Sequence, residues 1–453
     1  MTHRSAACRR GRNAARPATR AFMGLCVAMI FLTGSLPTGL SSAFAAGPEE
    51  MKPAGPPPPS LRLSLEESLA LFLRQNLDLI VTRFGIDHAK GQQITARLFP
   101  NPVLTVGTLS AYTQGQTAHK SGQVYPYVQQ LFEVAGKRGY RMESADFGAQ
   151  SAEANFEDAI RQLSFTLKDT YFRVQLAQRR LALAQENRDR FTRIMDVNSI
   201  RFKKGFIAEV DLIRIRLQIV DFQSQVIQAL QEAEVARADL RVLLRLPAVT
   251  QLELTTDLEF HRVDPDIVAL RRVALESRPD IRQRRLLQSQ RTADLKLAKA
   301  YRYPDVTGMA GYAVQGAQGP DNQQQVGLGL SLPVPLFNRN QGGIAQAEVS
   351  VQVAEAELQK TMVQAENQVD VAYTNLLQTR RLVETYLGGV LEDARSTLTI
   401  VERAYERGGA TILDLLDAAR TSRTIQQNYI ESLFNYQRNF FLLENAVGRE
   451  ITS

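Results

Sequence analysis

Ala404–Asp417 reads Ala-Tyr-Glu-Arg-Gly-Gly-Ala-Thr-Ile-Leu-Asp-Leu-Leu-Asp, and the fold turns on it. Tyr405, Gly408, Asp414 and Leu415 repeat the spacing of Phe202, Gly205, Asp211 and Leu212, 203 residues earlier. Each copy closes one long Ala/Gln-rich helical pattern and opens another, which predicts a tight helix–turn–helix tip. Glycine supplies the positive φ that ends a helix. Thr411 followed by Asp414 has the form of a capping box that starts the next one. Two such hairpins related by duplication make a repeat protein.

The duplication extends outward from the tips. Ala152-Glu153-Ala154 recurs as Ala354-Glu355-Ala356, Tyr171 as Tyr373, Gln123-Val124 as Gln325-Val326, Asp78 as Asp280 and Pro102 as Pro304, all at an offset of 202. One single-residue slip must therefore lie before the tips. The chain divides into repeat 1 (61–247), an inter-repeat linker (248–265) and repeat 2 (266–449). Each repeat is expected to hold a helix, a strand pair (103–132; 305–336), a long helix, a tip (201–211; 404–417) and a return helix. In repeat 1 the spacing predicts one amphipathic helix from Leu61 to about Leu98, stopped by Pro100-Asn101-Pro102. A proline-free pattern from Gly139 to Ile200 predicts a rod of roughly 90 Å. Val210–Leu246 returns from the tip. Leu252, Leu254, Leu258 and Phe260 in the linker suggest a little strand or apolar packing.

Val326, Leu328, Leu330, Leu332, Val334 and Leu336 alternate with Gln325, Gly327, Gly329, Ser331 and two prolines. That is the dyad pattern of a membrane barrel strand, apolar to lipid and small or polar to a lumen. A half-buried sheet on a soluble domain fits the pattern too. Val103–Tyr112, Gln123–Phe132 and Val306–Gln315 are weaker strands, and Pro126 is awkward inside one. No stretch beyond the leader reaches the ~18 apolar residues of a spanning helix, so a membrane could be crossed only by a closed barrel. Four strands cannot close one, since about eight are needed. Such a barrel would be shared between subunits: two chains give eight strands, three give twelve with room for a lumen.

Residues 1–46 have the form of a secretory signal. Arg4, Arg9, Arg10, Arg12, Arg16 and Arg20 precede an apolar run, and Ala43-Phe44-Ala45 offers a cleavage site. Gly24-Leu25-Cys26 is a poor lipidation signal, with a bulky Leu before the Cys. A proline-rich spacer (47–60) follows. Removing the leader takes six arginines and no acid, so the formal charge of +7 falls to about +1. The case for nucleic-acid binding goes with it. Cys8 and Cys26 also leave, and with them any disulfide or thiolate site.

With these motifs in place, the chain resembles the outer-membrane factor (TolC-like) family of export channels. Tyr405-x-x-Gly408 with Thr411–Ala418 is similar to that family's second tip. Phe132-Glu133-Val134-Ala135-Gly136-Lys137-Arg138 and Pro335–Gly342 resemble its heavy-metal-efflux, CzcC-like branch. The resemblance implies a mainly α fold: a trimeric outer-membrane β-barrel with four strands per chain, continued by an α-helical periplasmic tunnel. It implies a homotrimer in outer-membrane lipid, docked by its tips onto a periplasmic adaptor (membrane fusion protein) and an inner-membrane pump of the RND type. It further implies a passive exit duct for heavy-metal cations. Exit of drugs or secreted polypeptides stays open, as does a non-conducting coiled-coil scaffold or adaptor.

Asp414 and Asp417 lie three apart and share a helix face. By resemblance they and Tyr405 form the pore constriction. Three subunits would then set six carboxylates about one axis, favouring cations and raising some proton affinities by clustering. Equally, two aspartates in a first helical turn complement the helix dipole. At the first tip, Lys203, Lys204, Gly205 and Asp211, with Gly408 of the second, form either an adaptor-docking surface or a solvated face. His88, His119 and His261 lack a second ligand at i+3 or i+4. No phosphate loop or nucleophile elbow occurs, so neither enzyme chemistry, a cofactor nor a resident metal is expected.

Overall fold

In a computed structural model, residues 60–110, 122–315 and 324–451 are described. The leader, nearly all of the spacer and residues 111–121 and 316–323 lie outside them. The first half runs β1 (Ser60–Leu63), α1 (Leu65–Gln75), α2 (Leu77–Arg97), β2 (Val103–Ser110), β3 (Gly122–Phe132), α3 (Lys137–Lys203), α4 (Glu209–Leu243) and β4 (Gln251–Leu254). The second runs α5 (Ile267–Ser277), α6 (Pro279–Ala300), β5 (Val306–Gln315), β6 (Gln324–Ser331), α7 (Gln341–Thr385), a π-turn (Tyr386–Val390), α8 (Leu391–Glu406) and α9 (Ile412–Val447). The 67 residues of α3 make a rod of about 100 Å.

The single helix expected over Leu61–Leu98 is instead a strand and two helices. Ser64 and Glu67 form a capping box that starts α1. Asn76 ends α1, and its side chain accepts from the N–H groups of Asp78 and Leu79 to start α2. β1 exists because a distant partner covers it: Leu61 lies beside Leu252 and Leu63 beside Leu254 in a parallel pair with β4. The buried Tyr171 hydroxyl ties that pair to α3, donating to the Leu63 carbonyl and accepting from the Thr256 N–H, both at 3.0 Å. The strand suspected in the linker is thus β4.

The other sheet has the order β2-β3-β5-β6, antiparallel throughout. β6 stops at Ser331 and does not reach Leu336, because Pro333 and Pro335 have no N–H to donate. Across the register, Leu104, Val106, Val124, Val128, Ala310, Val326, Leu328 and Leu330 share one face, and Leu328 is 83 % exposed on it. The opposite face carries Tyr125, Tyr127, Gly311, Gly327 and Gly329, the two tyrosine rings stacked at 6.4 Å. An outward apolar face that large needs lipid, and the two unpaired edges, β2 and β6, need further chains.

Paired burial locates the slip between the repeats. Leu167/Val369 and Val174/Leu376, fully buried, match at an offset of 202; Leu212/Leu415 and Leu240/Leu443, also buried, match at 203. Between them lies the π-turn, whose i→i+5 hydrogen bonding holds one residue more than α-helix. The slip is that inserted residue. α3, its partner in the first repeat, runs unbroken.

The apolar core comes in two parts. A large cluster around Phe72, Tyr171, Phe172, Leu376, Tyr436 and Phe441 joins the helices to β1 and β4. A smaller one near the tips joins Phe191, Ile215 and Phe222 of the first hairpin to Leu398, Ile412, Leu415 and Ala419 of the second.

Candidate functional site: the paired tips

The two tips end alike. Gly205 (φ 77°) and Gly408 (φ 79°) take the left-handed conformation. The N–H one residue later bonds back five residues, Phe206 to Arg201 at 2.9 Å and Gly409 to Ala404 at 2.8 Å. This is the Schellman closure, and glycine adopts it without strain.

They restart differently. In the second tip Thr411 caps α9 through both arms of a capping box. The Asp414 carboxylate accepts from the Thr411 N–H at 2.8 Å and from its hydroxyl at 2.7 Å. Those hydrogen bonds hold the Asp414 carboxyl below its usual range. Within one chain its proton affinity is therefore lowered; the rise expected from clustering belongs to a ring of several chains. In the first tip Ala208 stands where Thr411 stands and makes no side-chain cap. Asp211, the counterpart of Asp414, is free to pair with Arg214 at 3.4 Å.

Folding brings the tips together. Arg201 donates to the Glu406 carbonyl at 2.6 Å and lies over the Tyr405 ring, 5.9 Å from its centroid. The Tyr405 hydroxyl donates to Asn198 Oδ1 at 2.8 Å. Asn198 is 1 % exposed, and its amide is oriented by donating to the Ile194 carbonyl at 2.8 Å. Burial raises the Tyr405 hydroxyl pKa, with Arg201 opposing, so the group stays a neutral donor through the physiological range. Higher up the seam, Arg190 meets Glu402 at 3.2 Å. Between the tips a cleft of about 700 Å³ is lined by Phe206, Asp211, Arg214, Tyr405, Gly408 and Thr411.

Tyr405 is thus placed in the seam between the hairpins. Asp417 is exposed and lines a second hollow with Asp221, Arg420 and Arg423; Arg423 pairs with Asp221 at 3.3 Å. Lys203 and Lys204 are exposed at the first tip, beside Phe206, which is 75 % exposed. The sequence reading missed Phe206 and Asn198. A large apolar side chain directly after a turn glycine could have flagged Phe206. Nothing local marks Asn198. Among the described residues no three His, Cys, Asp or Glu side chains gather as a metal site, and no helix is long and apolar enough to cross a membrane.

A family model described as outer membrane efflux protein matches residues 69–244 and 270–449. The cobalt-zinc-cadmium resistance protein CzcC of Cupriavidus metallidurans is 25 % identical over 432 residues, spanning 95 % of this chain and 100 % of CzcC. The outer membrane protein TolC of Escherichia coli is 24 % identical over 350 residues, 71 % of this chain and 68 % of TolC. In three dimensions the chain is similar to the solved channel CusC, with a TM-score of 0.72 at 18 % identity over 85 % of this chain and 92 % of that one, and to the outer-membrane channel OprN, with a TM-score of 0.71 at 21 % identity over 85 % of this chain and 89 % of that one.

Proposed function

The chain belongs to the outer membrane efflux protein family, and from that premise we propose that it is the exit duct for heavy-metal cations, gated where its two tips meet. It is an outer-membrane efflux channel of a tripartite system, not an enzyme. It works as a homotrimer with a periplasmic adaptor and an inner-membrane pump. Three copies of the β2-β3-β5-β6 sheet supply the twelve strands of a barrel whose edges all pair. The metal cargo is supported by the end-to-end similarity to CzcC, and with it a pump of the RND type.

Gating is supported by one observation above the rest: Tyr405 of the second hairpin is hydrogen-bonded to the buried Asn198 of the first. Opening is then a shear of the second hairpin against the first. The adaptor supplies the differential binding that drives it, with the exposed Lys203, Lys204 and Gly205 as its docking contacts. Asp414 and Asp417 line the opening.

A deletion strain tests the cargo. Growth should fail at lower zinc, cobalt and cadmium concentrations and recover on complementation, with drug tolerance unchanged. Sensitivity to drugs alone would reassign the duct.

The carboxylates have their own test. One carboxylate ~4 Å from a passing cation in water attracts it by about 1 kcal/mol. Six of them support a fall of about tenfold in cation-over-anion preference when Asp414→Asn and Asp417→Asn are combined. Asn at 414 still accepts the Thr411 bonds, so the cap is kept. Unchanged reversal potentials in a bilayer salt gradient would take both residues out of the pore.

A further inference from the structure

We infer that the π-turn around Gly388-Gly389 is the joint on which the second tip hairpin moves, an inference that rests on reading the tips as the gate. Gly389 sits at φ 127°, ψ −27°, a conformation open to glycine and strained for any residue with a Cβ. No residue of the turn is buried, and a Cβ placed on Gly388 would meet nothing within 4 Å. At Gly389 the nearest atom to an added Cβ is Asp393 Oδ2 at 4.0 Å, so packing does not explain the glycine there; its positive φ does.

Position adds a second line. The large cluster reaches down this side of the molecule to Leu181 and Val383, and the tip cluster begins at Phe191 and Leu398. The π-turn falls between the two clusters. On its upper side the Tyr386 ring meets Tyr429 of α9, 6.2 Å away and edge-on, which anchors α7. Below it, α8 packs along α9, with Ala394 and Leu398 buried. The first hairpin has no such joint, because α3 runs from Lys137 to Lys203 without a break.

Asymmetry between the repeats gives the joint its use. A π-turn stores one residue of slack. Passing that residue into α8 advances the helix by about 1.5 Å and turns it by about 100°. Such a turn carries Glu402 and Tyr405 off Arg190 and Asn198. The first hairpin stays fixed while the second rotates, and one inserted residue separates their roles.

The test uses two variants of the full-length trimer in planar bilayers. Deleting Gly389 makes α7 and α8 one α-helix whose faces keep their partners, as α3 manages in the first repeat. The variant should assemble as a trimer with an unchanged or higher melting temperature, yet open at least about tenfold less often, the ratio that 1.4 kcal/mol produces. Gly389→Ala keeps the extra residue and forbids its conformation, so α8 is mis-turned and the melting temperature falls. Trimers lacking Gly389 that open as often as the parent would show the insertion to be silent, with the duct reading intact. A parent trimer that never conducts would remove the duct reading and the joint together.

Discussion

Replacing Tyr405 with Phe should raise the open-to-closed ratio of the reconstituted trimer on the order of 100-fold. The ring, its packing against the tip cluster and the Arg201 contact are all kept. Only the hydroxyl that donates to Asn198 is lost. A net hydrogen bond is worth about 1 kcal/mol, and leaving the buried Asn198 oxygen unpaired adds to the loss in the closed state. Three latches released together amount to about 3 kcal/mol, hence the two decades. Asn198→Ala should act in the same direction. The double variant should add little, because the two residues share one interaction. Open probability from single-channel records is the readout, and the same value in parent and Tyr405→Phe would dismiss the latch.

The largest loss of stability is expected at Arg278. Its side chain is 3 % exposed and bonds to both Asp280 oxygens at 3.0 and 2.6 Å, to Gln368 Oε1 at 2.8 Å and to the Ala446 carbonyl at 2.8 Å. It sits at the junction of α5 and α6, the place Asn76 holds between α1 and α2, and it joins α7 and α9 to that corner. Arg278→Met keeps much of the length and removes every donor. Breaking one side of a buried pair costs about 3–5 kcal/mol, which a thermal or denaturant unfolding comparison resolves easily. Removing both charges, Arg278→Met with Asp280→Leu, should recover part of the loss.

The same pair has a pH signature. Burial alone would raise the Asp280 carboxyl, but the hydrogen bonds and charge of Arg278, helped by Arg161, hold it below its ordinary value. A depressed folded pKa gives stability that is complete above the unfolded carboxyl pKa and lost as pH falls through the folded one. Without Arg278 the carboxyl is less depressed and has less to lose. The gap between parent and Arg278→Met should therefore narrow in acid and be widest near neutrality.

How much of this could be read from residues alone depended on the reach of each interaction. The long helices were legible because their periodicity persists for tens of residues without proline. The Thr411–Asp414 cap was legible because it closes within four residues. Asn76 was not, since the break it makes lies between two runs of one apolar rhythm. β1 was hidden for another reason: its partner, β4, lies 191 residues on, and four residues cannot declare a strand unaided. The overreach of β6 to Leu336 came from trusting alternation over two prolines. The π-turn was visible as a slip in the count between repeats, without its place or shape. Asn198 was invisible because its meaning is Tyr405, 207 residues away. The closed barrel is a property of three chains, so one sequence yields only its edges.

The seam itself can be locked and released. Apart from Cys8 and Cys26 in the leader the chain has no cysteine, so Asn198→Cys with Tyr405→Cys creates the only thiol pair of the processed protein. A reducible bis-thiosulfonate linker of matching span should shut the reconstituted trimer. A reductant that cuts the linker should restore conduction in the same bilayer. Currents that ignore both the linker and its cleavage, with cross-linking verified on a gel, would mean that the gate lies elsewhere.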